Sequence, residues 1–115
     1  MKLEQLLALV CKFYGLKVKD IKGQGLATSV PLSSWRHPIA EEARKIACFL
    51  IQKHCALSED EVAAALKRQL QWTGVYIRMS AADARRKLSE DVAFRMSAEN
   101  VERMLIMATL MKSMS

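Results

Sequence analysis

The feature that most constrains this chain is a stripe of apolar residues at helical spacing: Ile39, Ala43, Ile46, Ala47, Leu50 and Ile51 follow closely on Pro38. A residue every third or fourth position lies on one face of an α-helix, and Pro38 suits a first helical turn. The spacing predicts a central, buried helix running to about His54, which other elements have to cover. Strands are poor candidates for that cover. The β-branched alternation they need is nearly absent, only 4 Gly and 2 Pro interrupt the chain, and the long Ala, Leu, Met, Glu, Lys and Arg stretches favour helix. At 115 residues and 51% hydrophobic content there is material for one core. The expectation is an all-α fold, a compact bundle of about five to six helices forming a single domain over 1–115.

The flanking segments fit that plan. Leu6, Leu7, Val10 and Phe13 or Tyr14 mark a helix from Leu3 to Tyr14, with Gly15 as its left-handed cap. Val18 to Ile21 reads as one short turn that tucks Ile21 inward, and Gly23 to Ser34 as an irregular connection, long for so small a domain. Ser58-Glu59-Asp60-Glu61 is a capping box that opens a new helix, given an apolar face by Val62, Ala65, Leu66 and Leu70 and stopped or bent at Thr73-Gly74. Arg78-Met79-Ser80-Ala81 recurs as Arg95-Met96-Ser97-Ala98, so Ser80 and Ser97 are read as the N-caps of two further helices. The Ser80 helix is expected to bury Ala84, Leu88 and Val92. The last helix, about 97–113, is expected to use most of its methionines as core filling.

Charge is distributed unevenly. The formal net charge is +6, and between Val62 and Leu88 six bases (Lys67, Arg68, Arg78, Arg85, Arg86 and Lys87) face the single acid Asp83, a local excess of five. A polyanion is the natural partner for such a stretch, against the alternative of a solvated basic face that binds nothing. The 3 cysteines, Cys11, Cys48 and Cys55, lie in apolar helical sequence without a C-x-x-C pair, which predicts reduced, buried thiols and a cytoplasmic location. His54, Cys55 and Cys48 fall short of a metal-ligand set, and no cofactor is implied. Neither a signal peptide nor a membrane-length apolar run is present, so no membrane partner is expected. His37 and His54 have no neighbours that would activate a nucleophile, and the chain is read as not an enzyme.

Two blocks of sequence carry a family resemblance. Val10-Cys11-Lys12-Phe13-Tyr14-Gly15-Leu16-Lys17-Val18-Lys19-Asp20-Ile21 is similar to a helix that ends in aromatics before an aliphatic and an Asp-Leu pair. Arg44-Lys45-Ile46-Ala47-Cys48-Phe49-Leu50 looks like Arg-Gln-Ile-Ala-Met-Tyr-Leu, and Leu57-Ser58-Glu59-Asp60-Glu61-Val62 then follows, at the same spacing, where Leu-Ser-Leu-Pro-Glu-Ile stands. Both blocks resemble the carboxy-terminal DNA-binding domain of the bacterial replication initiator DnaA, over about Leu3 to Leu88. The resemblance implies a helix-turn-helix, here about 58–95, with an extra C-terminal helix. The family's recognition helix opens with Gly-Gly-Arg-Asp-His-Thr-Thr and ends in Arg-Lys-Ile, and this chain offers two registers for it. Without a gap, Gln69-Leu70-Gln71-Trp72-Thr73 replaces the signature; with a short insertion, Arg86-Lys87-Leu88 matches the end and Ser80 lands on the threonine that starts the helix. The second register is preferred. The family's basic minor-groove arm is missing from Gly23 to Ser34, where Arg36 and His37 are the nearest substitutes, and no G-x-x-x-x-G-K-[ST] nucleotide site occurs.

The expected function is therefore duplex DNA binding, in replication or transcription control. Arg78 is placed on a guanine edge and Ser80 at a phosphate or base, in the opening turn of the recognition helix; Lys45, Lys67, Arg68, Arg85, Arg86 and Lys87 are placed on the phosphate backbone, and Arg44 is counted among the DNA-binding residues. Trp72 and Tyr76 are read as core aromatics or as rings packed on sugar. The alternative is a module that keeps the fold but docks on a protein partner, or on a second copy, through its Met-rich last helix.

Overall fold

Helices form where apolar residues recur at helical spacing, and they end at identifiable caps. A computed structural model of the protein describes residues 2–25 and 27–114, and within them every regular element is helical. Met1, Leu26 and Ser115 lie outside the described residues. Helix α1 (Leu3–Tyr14) buries Leu3, Leu6, Leu7, Val10 and Cys11 and ends at Gly15, which is left-handed (φ 68°). There the Gly15 N–H donates to Lys12 O and the Leu16 N–H to Cys11 O. One 3₁₀ turn, Val18–Ile21, carries the fully buried Ile21. The connection that follows is held at Gly23, whose N–H donates to Leu70 O. At φ 88°, a β-carbon on Gly23 would stand 2.0 Å from the Ala27 carbonyl oxygen, so neither the conformation nor the space admits a side chain.

Helix α2 (His37–His54) is the spine predicted by its stripe, burying Ala40, Ala43, Ile46, Ala47, Cys48, Leu50 and Ile51, with Pro38 in its first turn. It packs against α1, against the helix Gly74–Glu90 and against the last helix, Val92–Met114. After it come α3 (Glu59–Ala65), α4 (Lys67–Leu70), α5 (Gly74–Glu90) and α6 (Val92–Met114). The Ser58 capping box is made in both directions: the Glu61 N–H donates to the Ser58 hydroxyl and the Ser58 N–H to the Glu61 carboxylate. All three cysteines are buried and none is in a disulfide, and burial raises the Cys48 thiol far above its ordinary range.

Several boundaries differ from the sequence reading, each for a local reason. The helix opened by Ser58 breaks at Leu66 into α3 and α4, which lets Leu66 and Leu70 both turn inward while Ala65 remains exposed rather than on the apolar face. It stops at Gln71, three residues before Gly74, because Gln71 itself takes the left-handed cap conformation at φ 57°. Ser80 and Ser97 are helix interiors, not caps. Thr73 caps α5, its hydroxyl accepting from the Tyr76 N–H, and the Asp91 carboxylate accepts from the Phe94 N–H at the start of α6. Val92, expected inside, is exposed at that start.

The last helix departs most from expectation. Its core residues are Phe94, Ala98, Val101 and Leu105, while Met96, Ile106, Met107, Leu110, Met111 and Met114 are exposed. Beyond Leu105 no described residue of α6 is buried, so the methionines are a surface and not core filling.

Candidate nucleic-acid interface

The basic segment folds as three helices around one sharp turn. Helix α3 lies against α5, with Asp60 close enough that a β-carbon on Gly74 would overlap its carboxylate. The turn from α4 to α5 is tied to the body by Trp72, which is buried and whose indole N–H donates to the carbonyls of Ile21 and Gly23, each at 3.1 Å. Thr73 is held from outside by Gln24, whose amide oxygen accepts from the Thr73 N–H at 3.1 Å. These bonds fix where α5 begins and how it stands on the protein. The core reading of Trp72 holds, and Tyr76 packs half-buried beside it with ring centroids 5.8 Å apart.

Helix α5 buries Ile77, Ala81 and Ala84 toward α2, so geometry sends the opposite face to solvent. That outward face carries Val75, Arg78, Met79, Ala82, Arg85 and Arg86, all exposed. Among the described residues Arg78 has no hydrogen-bond or ion-pair partner, and neither have Lys67 and Arg68, which are exposed on α4. The other bases are engaged. Arg85 donates to the Gln52 amide at 2.6 Å; Lys45, half-buried on α2, meets Asp83 at 2.8 Å; Arg86 pairs with both Asp83 and Glu90. Lys87 turns back over the Phe94 ring, 5.3 Å from its centroid, a cation–π contact between α5 and α6 that draws it away from the α5 outer face. Hydrogen bonds from Lys45 and Arg86 hold the Asp83 carboxyl down at about 2. Lys45, Met79, Asp83 and Arg86 line an open hollow of about 560 Å³ between α2 and α5.

Two of the predicted contact residues are inside the protein. Arg44 is fully buried: its Nε donates to Ile21 O at 3.2 Å and its Nη1 to Glu41 at 3.3 Å, while Nη2 is buried without a partner. A guanidinium enclosed in this way cannot reach a phosphate. Ser80, 8% exposed, is carried inside α5 where it borders the hollow between α2 and α5, its hydroxyl set between Cys48 and Tyr76, so it does not open the helix. With Ser80 displaced, the preferred register loses its anchor, and the helix starts where the ungapped register puts its last threonine, at Thr73. The sequence reading missed Val75, Met79 and Ala82. A Thr with open helical sequence behind it at Thr73-Gly74 was the signal for the earlier start.

Among the described residues no cluster of His, Cys, Asp and Glu could hold a metal ion, and no helix is long and apolar enough to cross a membrane. Over 86 residues, 75% of the chain, the protein is 35% identical to the chromosomal replication initiator protein DnaA of Aquifex aeolicus (strain VF5). The chain spans 19% of that protein's length. No family model matches the chain, and no solved structure matches it.

Proposed function

We propose that the protein binds duplex DNA, with α3 to α5 as a helix-turn-helix whose second helix, α5, enters the major groove, in the manner of the carboxy-terminal domain of DnaA. The observation that carries this reading is the outward face of α5: Arg78 stands there without an internal partner, flanked by exposed Val75 and Met79. A recognition helix reads bases from its opening turns, and Arg78 lies in the second turn from the Thr73 cap. A bidentate Arg78 on a guanine edge is worth about 1–3 kcal/mol of discrimination, and Val75 and Met79 are placed for thymine methyls. Lys67, Arg68 and Arg85 then supply the phosphate contacts that set orientation without reading sequence. Asp60, against the first residue of α5, keeps phosphate away from that helix end and leaves the cations as the anchors.

The identity to a replication initiator supports the same reading and points to replication or transcription control in the cytoplasm; no nucleotide hydrolysis or cofactor is part of it. The test is fluorescence anisotropy of a labelled duplex pool, with an initiator-type box and a scrambled control, titrated at several salt concentrations. Saturable binding that weakens steeply with salt is the expected outcome. No binding at low salt overturns the proposal. A second reading, a protein-interaction module on the same fold, is favoured by the uncovered apolar face of α6.

A further inference from the structure

Helix α6 presents two apolar features side by side. Leu9 of α1 and Met104, Met107, Ala108 and Met111 of α6 line an open groove of about 550 Å³, which Asn100 and Arg103 close at one end. Next to it on α6 runs a ridge of Ile106, Leu110 and Met114, spaced four residues apart and exposed. Met107 and Leu110 are each 54% exposed, Met111 67% and Met114 87%. From Met104 to Met111 there is no charged residue.

We infer that this face is where a second copy of the chain docks, through antiparallel pairing of the two α6 helices about a two-fold axis, each ridge seated in the other's groove. Three properties of the surface select a second copy. Groove and ridge lie on the same helix, which is the self-complementarity that an isologous interface requires. The exposed side chains of Ile106, Met107, Leu110, Met111 and Met114 leave roughly 600 Å² per copy, so their complete burial on pairing would remove about 1,200 Å² in all, the lower end of stable specific interfaces. The uncharged run from Met104 to Met111 keeps the centre of the seam between two molecules of net charge +6 apolar, with Arg103 at the end of the groove and Lys112 beyond the run.

This inference stands apart from the DNA reading, and its test contains no DNA. Sedimentation equilibrium of the full chain over a wide range of concentration is expected to show a monomer–dimer equilibrium in the micromolar range. Leu110→Glu and Met107→Glu are expected to give monomers with unchanged helical circular dichroism and melting, because neither side chain belongs to the core; Arg78→Ala is expected to leave the dimer intact. In a second experiment, Leu110→Cys, close to the axis, should form a disulfide-linked dimer on mild oxidation, several-fold faster than Arg78→Cys. A wild-type chain that is monomeric at every concentration overturns the inference, and so does a Leu110→Glu chain that dimerises as well as the wild type.

Discussion

Single residues settle the turn that precedes α5. Gln71 is the only non-glycine among the described residues with positive φ, at 57°, a conformation that costs an L-residue about 1 kcal/mol or more. Gln71→Gly is expected to stabilise the protein by up to about 1 kcal/mol in urea unfolding, and Gln71→Val to destabilise it by more than that. Thr73→Ala removes the cap of α5 and should cost about 1 kcal/mol by the same measurement. Local chemistry of this kind was largely legible: Gly15 as a cap and Ser58 with Glu61 as a box need only their near neighbours. Gln71 was not legible, since nothing in a glutamine announces a left-handed backbone and glycine three residues later looked the better stop. Arg44 was hidden for another reason. A base beside Lys45 reads as surface, and only the tertiary packing that brings Ile21 O to its guanidinium takes it inside.

At the scale of helices, the bridge between α2 and α5 ties stability to pH and, on the DNA reading, to affinity. The Asp83 carboxyl is lowered from its usual 3.8 to about 2 by Lys45 and Arg86. A carboxyl lowered on folding contributes stability that is fully present above its unfolded value and is lost as pH falls through its folded value. Chemical unfolding should therefore show a loss between about pH 4 and about pH 2 that Asp83→Asn abolishes. The same substitution frees Lys45 and leaves Arg86 paired with Glu90 alone beside the α5 outer face, so on the DNA reading Asp83→Asn is expected to tighten DNA binding several-fold at low salt, as read by anisotropy. Arg78→Ala should relax base preference, Arg85→Ala should weaken all duplexes alike, and Ser80→Ala should alter DNA binding little because its side chain is buried. The extent of α5 was obscured by the repeated Arg-Met-Ser-Ala, in which each serine resembles a cap. In both copies the real cap lies a few residues upstream, at Thr73 and Asp91, and the serine is carried inside the helix.

For the whole molecule, the net charge of +6 matters less than which cations are unengaged. Lys67 and Arg68 have no partner among the described residues, and with Arg85, whose tie to Gln52 is a single exposed hydrogen bond, they make about three phosphate contacts on the DNA reading, which predicts a slope near −3 for log affinity against log salt. A slope close to zero would leave the basic face without a polyanion. The all-helical architecture and the central helix were readable from periodicity alone. The exposure of α6 was not, because a row of methionines has the same spacing whether it fills a core or faces outward. The Ile21 carbonyl, finally, accepts from both Arg44 and Trp72, so its lone pairs are occupied by one side chain from α2 and one from the turn that precedes α5. Positions 44 and 72 are therefore expected to be coupled in stability. Loss of either leaves the Ile21 carbonyl to the other donor alone, so the cost of removing both in urea unfolding should differ from the sum of the two single losses.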